Sequence, residues 1–168
     1  MMYSRVALDM DGVLADFDKA ILRVSGYHPS ELTEAEIWGH VRNTKDFFLT
    51  LEKTPECGTI LRAVLELIPL YRLRIVTALP RRDTVPDAAG QKTRWVRTVL
   101  GLGTVPVVTM VGSKNKWKYA MPGELLIDDR PSNCREWIEN NPGKGTGAIY
   151  HASTALTLTR LREHLAAE

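Results

Sequence analysis

The chain has 168 residues, a length that suits one domain with a continuous core and at most a small insertion. Hydrophobic residues make up 44% and charged residues 25%, the balance of an ordinary globular protein. With 22 basic and 20 acidic residues the net charge is +2, too even for a surface that binds a nucleic-acid polymer. No apolar run approaches the roughly 20 residues that span a bilayer. The start, MMYSRVALDMDG, lacks the apolar stretch and small-residue cleavage site of a secretory leader. Cys57 and Cys134 stand far apart, outside metal-ligand spacing, as ordinary thiols of a reducing compartment. The expectation is a cytoplasmic protein with no membrane partner.

In chain order, the first apolar run is RVALD (5–9), read as a buried strand. Residues 18–57 then break the pattern. They hold HPSELTEAEIWGH, where Ser30 or Thr33 can cap a short helix, and the aromatic pair Phe47 and Phe48. This stretch reads as a small, mostly helical insertion, leaving 1–17 and 58–168 as the core. A helical pattern at 59–68 leads to a second strand, LRIVT (73–77). The loop PRRDTVPDAAG (80–90) is marked by two prolines and a glycine. Helix 91–100, strand VPVVT (105–109), helix 114–120, strand ELLID (124–128), helix 132–140, strand TGAIY (146–150) and helix 154–167 follow. Strand alternating with helix predicts an α/β fold, a parallel sheet with helices on both faces.

Polar residues gather at the carboxyl ends of these strands, where open parallel sheets bind ligands. Asp9 and Asp11 follow the first, Thr77 ends the second, Lys114 and Lys116 come shortly after the third, and Asp128 and Asp129 end the fourth. A bare D-x-D can be a turn or a helix cap. Here Gly12 allows a sharp turn after the second acid. One carboxylate can then act as nucleophile and metal ligand while the other serves as general acid and base. Thr77 either satisfies a strand end or offers its hydroxyl to a phosphoryl oxygen. Lys116 is either a solvated charge, like Lys114 and Lys118, or the fixed cation that a phosphoryl transition state needs. Two adjacent acids after the buried LLI run are costly without a cation, and Mg²⁺ suits such a site. Trp95, Trp117 and Trp137 read as core or amphipathic helix positions, whereas Trp38 lies in a segment of little apolar content. The histidines have no partner for a zinc site. GKGTG precedes a strand, which is not the order of a phosphate-binding loop.

Taken in order, DMDGV, Thr77 in IVTALP, Lys116 in GSKNK and LLIDD resemble the four motifs of the haloacid dehalogenase superfamily. Within it the chain is most similar to the cytosolic-type 5′(3′)-deoxyribonucleotidases. DMDGVLADF, DFFLTLEKTPECGTILRAVLEL, TALP with KTRWVRTVLG, and SKNK with LLIDDR carry the likeness over most of residues 5–130. The resemblance implies a Rossmann-like core with a small helical cap (18–57) inserted after the first strand. It implies that Asp9 forms an aspartyl-phosphate, and that Asp11 protonates the leaving oxygen and then activates water. Mg²⁺ would be held by Asp9, the Asp11 main-chain carbonyl and Asp128. Thr77, the Ala78 amide, Lys116 and Lys92 would hold the phosphate, and Phe17 would line a nucleoside pocket. Ala78 replaces the serine usual in that family, the loop with Arg81 and Arg82 looks slightly longer, and residues 18–45 have no counterpart. Phe17 and Trp38 suggest stacking on a base, worth ~1–3 kcal/mol, or else they fasten the cap to the core. The expected partner is a small phosphorylated substrate, first a nucleoside monophosphate, with a sugar phosphate or a silent phosphate-binding role as alternatives.

Overall fold

A computed structural model describes residues 3–81, 84–151 and 154–165. Of the residues named above, Arg82, Ala166 and Ala167 lie outside these. The strands are β1 (Arg5–Leu8), β2 (Leu73–Leu79), β3 (Val107–Val111), β4 (Glu124–Asp128) and β5 (Gly147–Tyr150). They form one sheet in the order β3-β2-β1-β4-β5, with every neighbouring pair parallel. The apolar runs thus mark all five strands. β2 extends two residues past Thr77, and β3 starts at Val107 rather than Val105.

Helix α1 (Phe17–Ser25) and helix α2 (Glu34–Asn43) follow β1. Helices α3 (Cys57–Leu67), α4 (Ala88–Thr98), α5 (Pro131–Glu139) and α6 (Thr154–His164) form the crossovers and the final element. Because successive strand residues face opposite ways, the sheet has two apolar faces. Val6, Leu8, Ile75, Leu125 and Ile127 meet Ile21 of α1, Ile60 and Val64 of α3, Trp95 of α4 and Leu161 of α6 in the larger core. Ala7, Val76 and Leu126 meet Trp137 of α5 on the other face. On that face the small Ala7 lets Arg74 reach across β1. Its Nε and a terminal nitrogen each lie 2.6 Å from an oxygen of the wholly buried Glu124.

The stretch between β1 and α3 is helical, as its sequence suggests. Asp16 caps α1 by accepting from Lys19 N–H at 3.0 Å, and Gly26 ends it in the left-handed region at φ 79°. Of the two candidate caps, Thr33 serves α2. It forms a reciprocal box with Glu36, at 3.3 Å and 2.7 Å. A 3-10 turn, Phe47–Thr50, closes the stretch, with Phe47 and Phe48 buried in the main core. Helix α4 grips this turn. Gln91 Oε1 accepts from Phe48 N–H at 3.0 Å, and Trp95 Nε1 donates to Leu51 C=O at 2.8 Å.

The segment read as helix 114–120 is a 3-10 helix, Ser113–Tyr119, rather than an α-helix. Its last turn closes tightly, Ala120 N–H bonding Trp117 C=O at 3.2 Å, while Lys116 is turned inward and Lys114 and Lys118 stay exposed. Trp95 has no exposed surface and ties α4 to the chain at Leu51. Trp95→Ala is expected to cost ~3–5 kcal/mol, measured by denaturant unfolding. A loss below about 1 kcal/mol would show that the site collapses without a cavity.

Candidate active site

The sheet reverses its strand order between β1 and β4, so the crevice beyond their carboxyl ends is the expected ligand position. Asp9 follows β1 and its N–H bonds Ile127 C=O at 2.9 Å, which places it beside Asp128 at the end of β4. Asp9 is 6% exposed and Asp128 is not exposed at all. Between them lies Lys116, its Nζ 2.9 Å from Asp9 Oδ1 and 2.7 Å from Asp128 Oδ2. Burial works against the Lys116 ammonium, but Asp9 and Asp128 outweigh it and raise its pKa, so the side chain stays charged. Burial and the Asp9 charge push Asp128 upward, opposed by Lys116 and the Arg130 N–H.

Asp129 completes an acidic group. Carboxylate oxygens of Asp9, Asp128 and Asp129 all lie within 4.8 Å of one another. Burial, then the charges of Asp9 and Asp128, raise Asp129 to about 7. The turn after Asp11 admits this crowding. Gly12 has φ +83°, and a Cβ there would lie 2.0 Å from Asp129 Oδ2. The loop is drawn tight by Leu14 and Ala15 N–H groups, both bonding Met10 C=O at 2.9 Å.

A second buried lysine organises the other half of the site. Lys92 Nζ, on α4, donates to Asp11 Oδ2 at 2.6 Å, Thr77 Oγ1 at 3.0 Å and Ala78 C=O at 2.7 Å. It also stands 4.6 Å from the centre of the Phe48 ring. Asp11 Oδ1 is buried and accepts no hydrogen bond among the described residues. The structure therefore brings Asp9, Asp128 and Lys116 into one group and Asp11, Thr77, Ala78 and Lys92 into an adjoining one. Phe17 and Trp38 are half-buried and touch each other, ring centres 6.1 Å apart at 55°, with Phe17 also edge-on to Phe47 at 5.5 Å. They meet obliquely, not as two parallel plates.

The sequence alone gives Asp129 no separate role and does not single out Gln91 or Asn133. Asn133, 4% exposed, donates Nδ2 to both oxygens of Asp128 at 3.1 Å. Its only signal was a polar residue in the first turn of the helix that follows LLIDD. Phe48 was marked only as half of an aromatic pair.

Solved structures place this architecture. A hydrolase from Streptococcus pneumoniae TIGR4 superposes with a TM-score of 0.50 at 17% identity, covering 99% of this chain and 100% of that one. L-2-haloacid dehalogenase from Xanthobacter autotrophicus gives a TM-score of 0.51 at 10% identity, covering 99% and 90%. The fold is that of the haloacid dehalogenase hydrolases. The family described as 5′ nucleotidase, deoxy (Pyrimidine), cytosolic type C protein matches residues 3–150, and the chain belongs to it. It is therefore a hydrolase of the haloacid dehalogenase superfamily. No helix among the described residues is long and apolar enough to cross a membrane.

The crowding of acids has a consequence for stability. Unfolded, Asp129 titrates near about 4, and folded it titrates at about 7. Between those values unfolding releases its proton, so rising pH favours the unfolded chain. In chelator, the Tm is expected to fall between pH 5 and pH 8, less steeply in Asp129→Asn, and Mg²⁺ is expected to restore it at pH 8. A Tm in Asp129→Asn that tracks wild type over the whole range would contradict this.

Proposed function

We propose that the protein is a Mg²⁺-dependent phosphomonoester hydrolase that works through an aspartyl-phosphate on Asp9, with nucleoside 5′-monophosphates, deoxyribonucleotides first, as substrates. The observation that carries this reading is the buried Lys116 ammonium between Asp9 and Asp128, in a chain of the deoxynucleotidase family. An isolated buried acid pair with its own lysine is a structural ion pair. Here a third acid, Asp129, crowds the pair, and in the adjoining group an Asp11 oxygen is buried with no hydrogen-bond partner among the described residues.

These donors fit a hard cation. Three carboxylate oxygens within 4.8 Å of one another, burdened by mutual repulsion, match the oxygen preference of Mg²⁺. Asp9 and Asp128 would hold it, with the Asp11 main-chain carbonyl, and Asp129 adjoining. When bound, Mg²⁺ supplies positive charge that offsets the phosphate dianion and the acids around it.

The residues then divide the chemistry. Asp9 Oδ attacks phosphorus and forms the acyl-phosphate as the bond to the leaving oxygen breaks. Asp11 gives that oxygen its proton, then removes one from the water that cleaves the acyl-phosphate. Lys92 fixes Asp11 by an ion pair, so the carboxylate meets the reacting oxygens in one orientation. Thr77 Oγ1 accepts from Lys92, which leaves its own hydrogen for a phosphoryl oxygen. Lys116, the Ala78 amide and Lys92 complete the phosphate's surroundings. Residues 18–57 act as the cap over a core of 1–17 and 58–168. Phe17 and Trp38, in contact with each other, form one wall against which a base can stack. We place the protein in the cytoplasm, on the cytosolic type of its family and its two free, buried thiols.

One kinetic series tests this. Wild type is expected to hydrolyse an aryl phosphate only with Mg²⁺, and deoxyribonucleotides with higher kcat/KM than ribonucleotides or sugar phosphates. Asp9→Asn is expected to fold and lose turnover. Asp11→Asn is expected to fall by about 10²–10⁴-fold, and Lys116→Met by about 10²–10³-fold. Lys114→Met and Lys118→Met, at exposed positions, are expected to stay near wild type. Phe17→Ala and Trp38→Ala are expected to lose nucleotide preference while still cleaving the aryl phosphate. Full turnover in excess chelator or by Asp9→Asn would sink the mechanism. Preference for sugar phosphates would sink only the substrate assignment.

A further inference from the structure

Asp128 is the most constrained carboxylate of the acidic group. Oδ1 accepts from Arg130 N–H at 2.8 Å and from Asn133 Nδ2 at 3.1 Å. Oδ2 accepts from Lys116 Nζ at 2.7 Å and from Asn133 Nδ2 at 3.1 Å. The Asn133 nitrogen is equidistant from both oxygens, so it lies on the bisector of the carboxylate. From there it opposes tilting of the carboxylate, while the Arg130 N–H on Oδ1 and the Lys116 ammonium on Oδ2 set its rotation about the Cβ–Cγ bond. The amide is itself held. Asn133 is buried in the first turn of α5, a helix whose Trp137 packs against Leu126 of β4. Nδ2 makes no other hydrogen bond among the described residues.

The chemical type matters as much as the placement. A lysine or arginine on this bisector would cancel the Asp128 charge, and a third acid would add to the repulsion. A neutral amide donor orients the carboxylate and leaves its charge available. An apolar side chain would take one donor from the wholly buried carboxylate and leave it able to tilt.

We propose that Asn133 is a positioning residue for the cation site: it holds the Asp128 carboxylate against tilting, so that it stays directed toward Asp9 and Asp129, without neutralising it. This rests on the Mg²⁺ reading above. Partners that orient a metal-ligating carboxylate typically change metal affinity by about 10–100-fold when removed.

The test compares Asn133→Ala, Asn133→Leu and Asn141→Ala with wild type, all as the full chain. Asn141 is a matched control, 5% exposed, donating to the Trp117 and Trp137 carbonyls at 2.9 Å and 3.0 Å without touching Asp128. Mg²⁺ binding is read by titration calorimetry on substrate-free protein, and Mg²⁺ dependence by the rate with an aryl phosphate. Both Asn133 variants are expected to bind Mg²⁺ about 10–100-fold more weakly and to recover rate as Mg²⁺ is raised, with an unchanged substrate KM at saturation. Asn141→Ala is expected to melt lower and bind Mg²⁺ as wild type does. Asn133→Leu keeps the number and branching of the side-chain heavy atoms, so it carries the test if the alanine variant does not fold. Wild-type Mg²⁺ affinity in a folded Asn133 variant, or an equal loss in Asn141→Ala, overturns the proposal. A wild type that binds no Mg²⁺ overturns the cation reading and this proposal with it.

Discussion

Two carboxylates from neighbouring parallel strands, Asp9 and Asp128, are buried side by side, and Lys116 stands between them. Burial alone would drive such a pair to neutrality, and each acid makes the other's charge more costly. The Lys116 ammonium opposes that cost for Asp128 and hydrogen-bonds both acids in a site that water hardly reaches. Much else in the structure serves that arrangement. The switch in strand order brings β1 and β4 together, the 3-10 helix after β3 turns Lys116 inward, and Gly12 opens the room that Asp129 fills. The surroundings of Asp9 are thus organised before any ligand arrives.

Lys92 plays the corresponding part on the other side of the crevice, and it joins the site to the inserted segment. Its ammonium bonds Asp11, Thr77 and Ala78 and lies over the Phe48 ring, while the preceding residue, Gln91, accepts from Phe48 N–H. Helix α4 thus holds Asp11 of the loop after β1 and the 3-10 turn Phe47–Thr50 at once. A change in the seating of that turn would be felt at Asp11 through a single side chain. Phe47 carries the same turn to Phe17 and Trp38, so the aromatic wall and the acid share one scaffold.

The strands were legible because each is a short Val-, Ile- or Leu-rich run ending in a polar residue, and a parallel sheet buried on both faces requires such runs. Asp9, Thr77 and Asp128 stand at or beside the ends of those runs, while Asp11 and Lys116 follow two and several residues later, and the motif order of the resemblance is what singled them out. Other contacts depend on three-dimensional register. Arg74 meets Glu124 across β1, a contact set by the register of three strands, with the small Ala7 level with Arg74. Asn133 carries no charge and belongs to no spacing that marks it, so its contact with Asp128 emerges only once α5 is packed on β4. The segment at 114–120 has the polarity of a helix, and composition does not distinguish a 3-10 from an α-helical path. Phe17 and Trp38 were singled out as aromatic residues in and beside the cap, but that their rings meet obliquely, with Phe17 also edge-on to Phe47, follows only from the packing.

The central claim is that the Asp9 carboxylate, held by Lys116, becomes covalently phosphorylated. Rapid acid quench during turnover of a phosphomonoester, followed by peptide mass mapping, tests it directly. The account predicts one added phosphoryl group on the peptide that contains Asp9, absent in Asp9→Asn and accumulating in Asp11→Asn, where water is not activated. Turnover with no phosphoryl group on Asp9, or with the group on another residue, would contradict it.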